Sequence, residues 1–161
     1  LAQLLGQQVD VVPFGDLERN GEVVIHESSL SVLGCAEAAA NADLVTLPSG
    51  RLLPVAPLEL MAVLKLIAFA GRHPAETKDA DDLLTVLRAS SEGIYGDETW
   101  DDELSMAASD FDHELASAHR LGRRGIACFI PDRALRVHKV AKQVHPALRL
   151  AWRGAPEGLL K

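Results

Sequence analysis

Aromatic side chains are scarce in this chain, at 4%, so a core here must be built from Leu, Val, Ala and Ile. Only two cysteines occur, Cys35 and Cys128, far apart and in no metal-like spacing. A disulfide scaffold is therefore not expected; both thiols read as buried structural groups in a reducing cytoplasm. The sequence holds no phosphate-cradling glycine loop, no serine nucleophile elbow and no zinc motif. Its histidines form no metal-ligand spacing; His113 and His119 are six residues apart, which puts them on different helix faces. No apolar run reaches membrane-spanning length, since the run 60–70 is short and interrupted by Lys65. Residues 1–8 lack a charged segment followed by an apolar one, so no signal peptide is expected. The first residue is Leu1 rather than Met, which raises the expectation of a removed start or of a longer reading frame.

What is present is apolar enough to fold. At 161 residues and 48% hydrophobic content, one domain, or one small domain with a helical extension, is expected. The net charge of −7 argues against a generic phosphate-binding surface. That charge is uneven. Acidic residues dominate from Glu76 to Glu114, whereas Arg133, Arg136, Lys139, Lys142, Arg149 and Arg153 form a wholly basic segment. The simplest expectation is two solvated helix faces that attract each other; a nucleic-acid contact by the basic segment is the alternative.

Hydrophobic period divides the chain. Residues 9–14 read as a buried strand whose one charge is Asp10, ended by Pro13-Phe14-Gly15. A second strand is expected over 22–26, entered through the turn dipeptide Asn20-Gly21, and a third over 30–33. Residues 36–42 are strong helix formers, and 44–47 with 51–55 suggest a hairpin around Pro48-Ser49-Gly50. Beyond this point the period becomes helical. Pro57 opens a helix to about Gly71, and Thr77 is placed to cap a second over 78–88. Residues 90–98 read as a loop, followed by helices over 99–108 and 110–129. In the latter, Phe111, Leu115, Ala118, Leu121 and Gly125 recur on one face. Pro131 starts a last helix, which Pro146 limits or divides. The expected fold is α+β: a small sheet domain over 1–56 and a helical region over 57–161.

Three features could carry chemistry. Asp10 is a lone carboxylate in an apolar strand, costly if buried unpaired; alternation can turn it to water with Val9 and Val11 inward, or it can face a cation or metal. Lys65 and Arg72 are seven residues apart, so they share a stripe on a helix that is otherwise apolar nearly all round. Such a stripe either snorkels to the surface or points into a polar cleft. Asp79 and Asp82 share a face at the start of the next helix; they complement its dipole, or they fix Lys65 and Arg72, or they help to ligate a cation.

The ordered set of Val9-Asp10-Val11-Val12-Pro13-Phe14-Gly15, Ser31-Val32-Leu33-Gly34 with Glu37-Ala38, Leu53-Pro54-Val55-Ala56, Leu64-Lys65-Leu66-Ile67-Ala68-Phe69 with Arg72, and Lys78-Asp79-Ala80 with Asp82-Leu83 resembles bacterial nucleotidyltransferases of the AbiEii/AbiGii toxin type. The stretch from Phe111-Asp112 to Leu121-Gly122-Arg123 is similar to the helical tail of the same proteins. The resemblance implies an incomplete polymerase-β-like core. It implies transfer of a nucleoside monophosphate from an NTP to a hydroxyl of a protein, a tRNA or a small molecule. Two Mg²⁺ would bridge carboxylates and phosphates. By the same resemblance Asp10 is the third catalytic carboxylate and a Mg²⁺ ligand, and Lys65 is the catalytic helix lysine that meets the nucleotide. Arg72, Asp79 and Asp82 join Lys65 in binding it. A Gly-Ser and an Asp-x-Asp, expected upstream of Asp10, are not among the nine residues before it, so this fragment alone is expected to be inactive. Further implied are an antitoxin partner and homo-oligomerisation through an open sheet edge. A non-catalytic interaction or nucleotide-binding domain is the alternative.

Overall fold

The computed structural model describes residues 2–4, 7–9, 11–25 and 27–151. The architecture is α+β, with all strands before residue 56 and most of the helices after it. Six strands form three separate antiparallel pairs: β1 (Ala2–Leu4) with β2 (Gln7–Val9), β3 (Glu22–Ile25) with β4 (Ser28–Ser31), and β5 (Asp43–Thr46) with β6 (Leu52–Val55). The single small sheet expected from the sequence is therefore not formed among the described residues.

Turn chemistry explains the entry into β3 and the third pair. Asn20 and Gly21 both take positive φ, 53° and 79°, and Arg19 and Glu22 exchange backbone hydrogen bonds across them. That is the two-residue turn whose twist matches an antiparallel pair. In the β5–β6 ribbon, Gly50 donates to the Leu47 carbonyl and Leu47 to that of Arg51, which closes the expected hairpin at Pro48-Ser49-Gly50. All eight strand residues of this ribbon are exposed, including Leu44, Leu52 and Leu53.

The expected strand over 9–14 needs correction. Strand pairing stops at Val9, and Val11, Val12 and Phe14 lie exposed in irregular backbone. Pro13 removes a donor from any ladder there, and Val11 is not turned inward as alternation suggested. Asp10 lies outside the described residues. The third strand sits two residues earlier than expected, leaving Val32 and Leu33 as buried core residues after it.

The helical part is built around one element. α1 (Cys35–Ala40) follows the second strand pair; α2 (Leu58–Arg72) then packs against α1, β4, α3 (Lys78–Ala89), α6 (His113–Ala127) and α7 (Pro131–Ala151). This is why its sequence is apolar nearly all round. Leu60, Val63 and Ile67 of α2 enter one core cluster with Leu33, Phe129 and Val137. Phe69 of α2 enters a second with Ala80, Leu83, Val144 and Leu148. Burying such side chains contributes about 1.5–3 kcal/mol each.

Four helical segments differ from expectation for local reasons. The helix expected over 110–129 runs from His113 to Ala127, because Asp112 caps it, which leaves Phe111 outside it. The segment 90–98 is not a loop throughout: α4 (Gly93–Asp97) forms a short turn there. α5 (Glu103–Ala108) starts late because Asp102 caps it, its carboxylate accepting from the Ser105 amide at 3.0 Å. α7 runs through Pro146 to Ala151. Proline there removes only the bond to the Lys142 carbonyl, and burial of Val144 and Leu148 on either side holds the helix line. No described helix is long and apolar enough to cross a membrane.

Candidate functional site

Lys65, Arg72, Asp79 and Asp82 meet in one cluster. The seven-residue spacing puts Lys65 and Arg72 on one stripe of α2, and the turn over 73–77 folds α3 back alongside. Lys65 Nζ donates to Asp82 Oδ2 at 2.6 Å and lies 3.5 Å from Asp79 Oδ1. Arg72 Nη1 lies 2.9 Å from Asp79 Oδ2. Asp79 is buried, its side chain 2% exposed, whereas Lys65, Asp82 and Arg72 are 35%, 36% and 51% exposed.

The Arg72 contact is one of charge proximity. Its N–H vectors do not aim at Asp79 Oδ2, which accepts no hydrogen bond. A guanidinium carries five donors and an ammonium three, so Arg72 and Lys65 keep donors beyond those Asp79 and Asp82 use. Thr77 stands at the head of α3, but its hydroxyl makes no capping bond. Asp79 and Asp81 fill the first turn of α3, as its dipole favours.

These donors face a cavity of about 310 Å³ between β4 and α2. Lys65, Arg72 and Asp79 line it, opposite Ser29, Ser31 and Cys35, with Val12 at its edge. The serines and the cysteine were not legible as site residues, although Ser29 and Ser31 share one strand face by their spacing of two. Ser29 Oγ donates to Glu22 Oε2 at 2.8 Å. Both cysteines are free and half-buried. Burial pushes the Cys35 thiol above its ordinary pKa, with Glu18 and Glu37 adding to the shift.

The Asp82 hydrogen bond raises the Lys65 pKa, and the same bond holds Asp82 below the usual carboxylate range. A depressed carboxylate stabilises the fold above its unfolded pKa and loses that contribution as pH falls through its folded value. A raised lysine stabilises below its unfolded pKa and loses it as pH rises through its folded value. Half-exposed pairs are screened, so the contribution is about 0.5–1 kcal/mol. Wild type should exceed Asp82→Asn in thermal midpoint by a constant margin at neutral pH. That margin should shrink below roughly pH 4 and above roughly pH 10.5. Melting curves across pH check this; a margin that is flat to pH 2 removes the pair as a stabilising contact.

Among the described residues no ion pair joins the acidic segment to the basic one. Arg133 of α7 instead pairs with Glu18 and Glu37, and Arg136 donates to the Asn20 carbonyl. Glu98 and Asp102 are paired by Arg120, Arg123 and Arg124 of α6.

Among the described residues, no group of three or more His, Cys, Asp or Glu is placed to hold a metal ion. Asp79 and Asp82 do not fit Mg²⁺ either, because each faces an ammonium or guanidinium at short range. Asp10, the ligand implied by resemblance, lies outside the described residues. No family model matches the chain, and neither does a curated protein or a solved structure.

Proposed function

We propose that this chain supplies the nucleotide-phosphate-binding part of a nucleotidyltransferase, with Lys65 and Arg72 as the groups that meet the triphosphate. One observation carries the reading: Lys65 and Arg72 converge on a single cleft that Val12, two residues from Asp10, also borders. Asp79 acts as a positioning residue, a buried anion that holds both cations toward the opening. In the transfer, an acceptor hydroxyl of a protein, tRNA or small molecule attacks the α-phosphorus and pyrophosphate leaves. A fixed ammonium and guanidinium beside the phosphates offset the charge of that displacement. Transfer itself requires metal-binding carboxylates beyond Asp79 and Asp82.

Calorimetric titration with ATP, GTP, CTP and UTP, and with inorganic triphosphate as a control, tests the reading. Lys65→Met keeps the aliphatic stem and removes the charge, and should weaken triphosphate binding at least tenfold, about 1.4 kcal/mol. Its thermal midpoint should stay within a few degrees of wild type. Unchanged binding with a collapsed midpoint would instead assign the cluster to stapling α2 onto α3.

A further inference from the structure

Between positions 89 and 119 the chain carries nine acidic residues and no Lys or Arg. Three of the nine have work inside the molecule: Glu98 and Asp102 pair with α6 arginines, and Asp112 caps α6. Asp97, Asp101, Glu103, Asp110 and Glu114 are exposed and make no ion pair among the described residues. Glu103 lines a shallow groove of about 760 Å³ whose floor is apolar, made by Trp100, Leu104, Met106, Ala107 and Phe111; Asp101 and Asp110 adjoin the lining residues Trp100 and Phe111 in the chain. Trp100 stacks on His113, with ring centroids 4.3 Å apart, so its ring is held ready.

Phe111 is the telling residue. Its φ is +62°, next to Asp110 at +51°, a conformation that costs an L-residue about 1–2 kcal/mol. The turn closes α5, the Phe111 amide donating to the Met106 carbonyl at 2.9 Å, and it leaves the Phe111 ring 72% exposed. Anionic phosphates and anionic membranes are repelled by the acidic rim. A cationic surface carrying apolar side chains is the complement.

The same molecule has such a surface. On α7, Leu135, Lys139, Lys142, Arg149 and Leu150 are exposed and recur at helical spacing along about 22 Å. Lys139, Lys142 and Arg149 make no ion pair among the described residues, and the one acid on the helix is Asp132. Groove and stripe are thus complementary in charge, and neither has a partner among the described residues. We propose that the groove of one copy receives the exposed basic stripe of α7 from a second copy. Two such contacts formed reciprocally would close a twofold dimer. The net charge of −7 opposes approach at long range, but beyond about 8 Å it is screened at physiological salt, and the local pairing decides.

Sedimentation velocity of the full chain at rising micromolar concentration tests this, with two reversed variants. One carries Asp101→Lys and Glu103→Lys in the groove; the other carries Lys139→Glu and Lys142→Glu on α7. Wild type should dimerise and each variant alone should be a monomer. An equimolar mixture of the two should dimerise again, since each reversed surface meets its opposite. Phe111→Gly accepts the positive φ without strain, so it should lower dimer affinity at least fivefold while leaving the thermal midpoint equal or higher. Four results would overturn the proposal. They are a monomer at all concentrations, a dimer indifferent to Phe111→Gly, a mixture that stays monomeric, and a dimer abolished by Leu53→Lys in β6 but not by the groove variant. The last would move the contact to the strand edge.

Discussion

Phe69→Ala should cost about 4 kcal/mol of stability, the largest loss for any single substitution in the described helices. Phe69 is fully buried where α2, α3 and α7 meet, against Ala80, Leu83, Val144 and Leu148. Removing the ring forfeits its burial and leaves a cavity that three helices cannot close together. At this chain length the midpoint should drop by roughly 8–16 °C. The effect should also reach the site. Phe69 lies between Lys65 and Arg72 in sequence and anchors α3, so a loosened α2–α3 contact separates both cations from Asp79. Phe69→Leu, which keeps most of the volume, should cost under about 1.5 kcal/mol. Chemical denaturation of the three proteins decides; a Phe69→Ala loss below 1.5 kcal/mol would mean that the second core cluster does not hold the helices.

Gly125→Ala is expected to destabilise by about 2 kcal/mol, against the ordinary sign of that change. In an exposed helix interior, alanine is better than glycine by about 1 kcal/mol. At Gly125, however, a β-carbon would sit 2.8 Å from the Glu59 carbonyl oxygen and 3.1 Å from Val63 Cγ2. The first neighbour is backbone, so α6 must move away from α2, and overpacking of this kind costs about 1–3 kcal/mol. Gly122, one turn earlier on α6, has nothing within 4 Å of its would-be β-carbon. Gly122→Ala should therefore stabilise by about 0.5–1 kcal/mol. Opposite signs for two identical substitutions on one helix are the measurable signature; equal signs would show that α6 does not approach α2 this closely.

Helix identity was readable where propensity and burial agree. The stripe of Lys65 and Arg72 followed from spacing alone, and so did the shared face of Asp79 and Asp82. Pro57 and Thr77 marked the heads of α2 and α3 to within a residue. Prediction failed where a local signal was overruled. Val11 and Val12 have strand propensity but pair with no strand among the described residues, and propensity of that kind is realised only against a packed surface. Pro146 signalled a break, yet two buried residues beside it, Val144 and Leu148, outweigh one missing hydrogen bond. Ser29, Ser31 and Cys35 were invisible as cleft residues because their place depends on how the β3–β4 pair lies against α2.

The sequence by itself determined the α+β character, the helical stripes and the division of charge along the chain, since these depend on residue type and period over a few turns. Only the tertiary structure decided which charges meet. Arg133 finds Glu18 and Glu37 rather than the acids of the middle segment, and Asp79 is closed in beneath Lys65 and Arg72. The reason is one of magnitude. An exposed ion pair is worth under about 1 kcal/mol, whereas each large apolar side chain buried on α2 is worth about two or three times that. Apolar burial therefore sets how α2, α3, α6 and α7 lie together, and the charges pair with whatever that packing brings within reach.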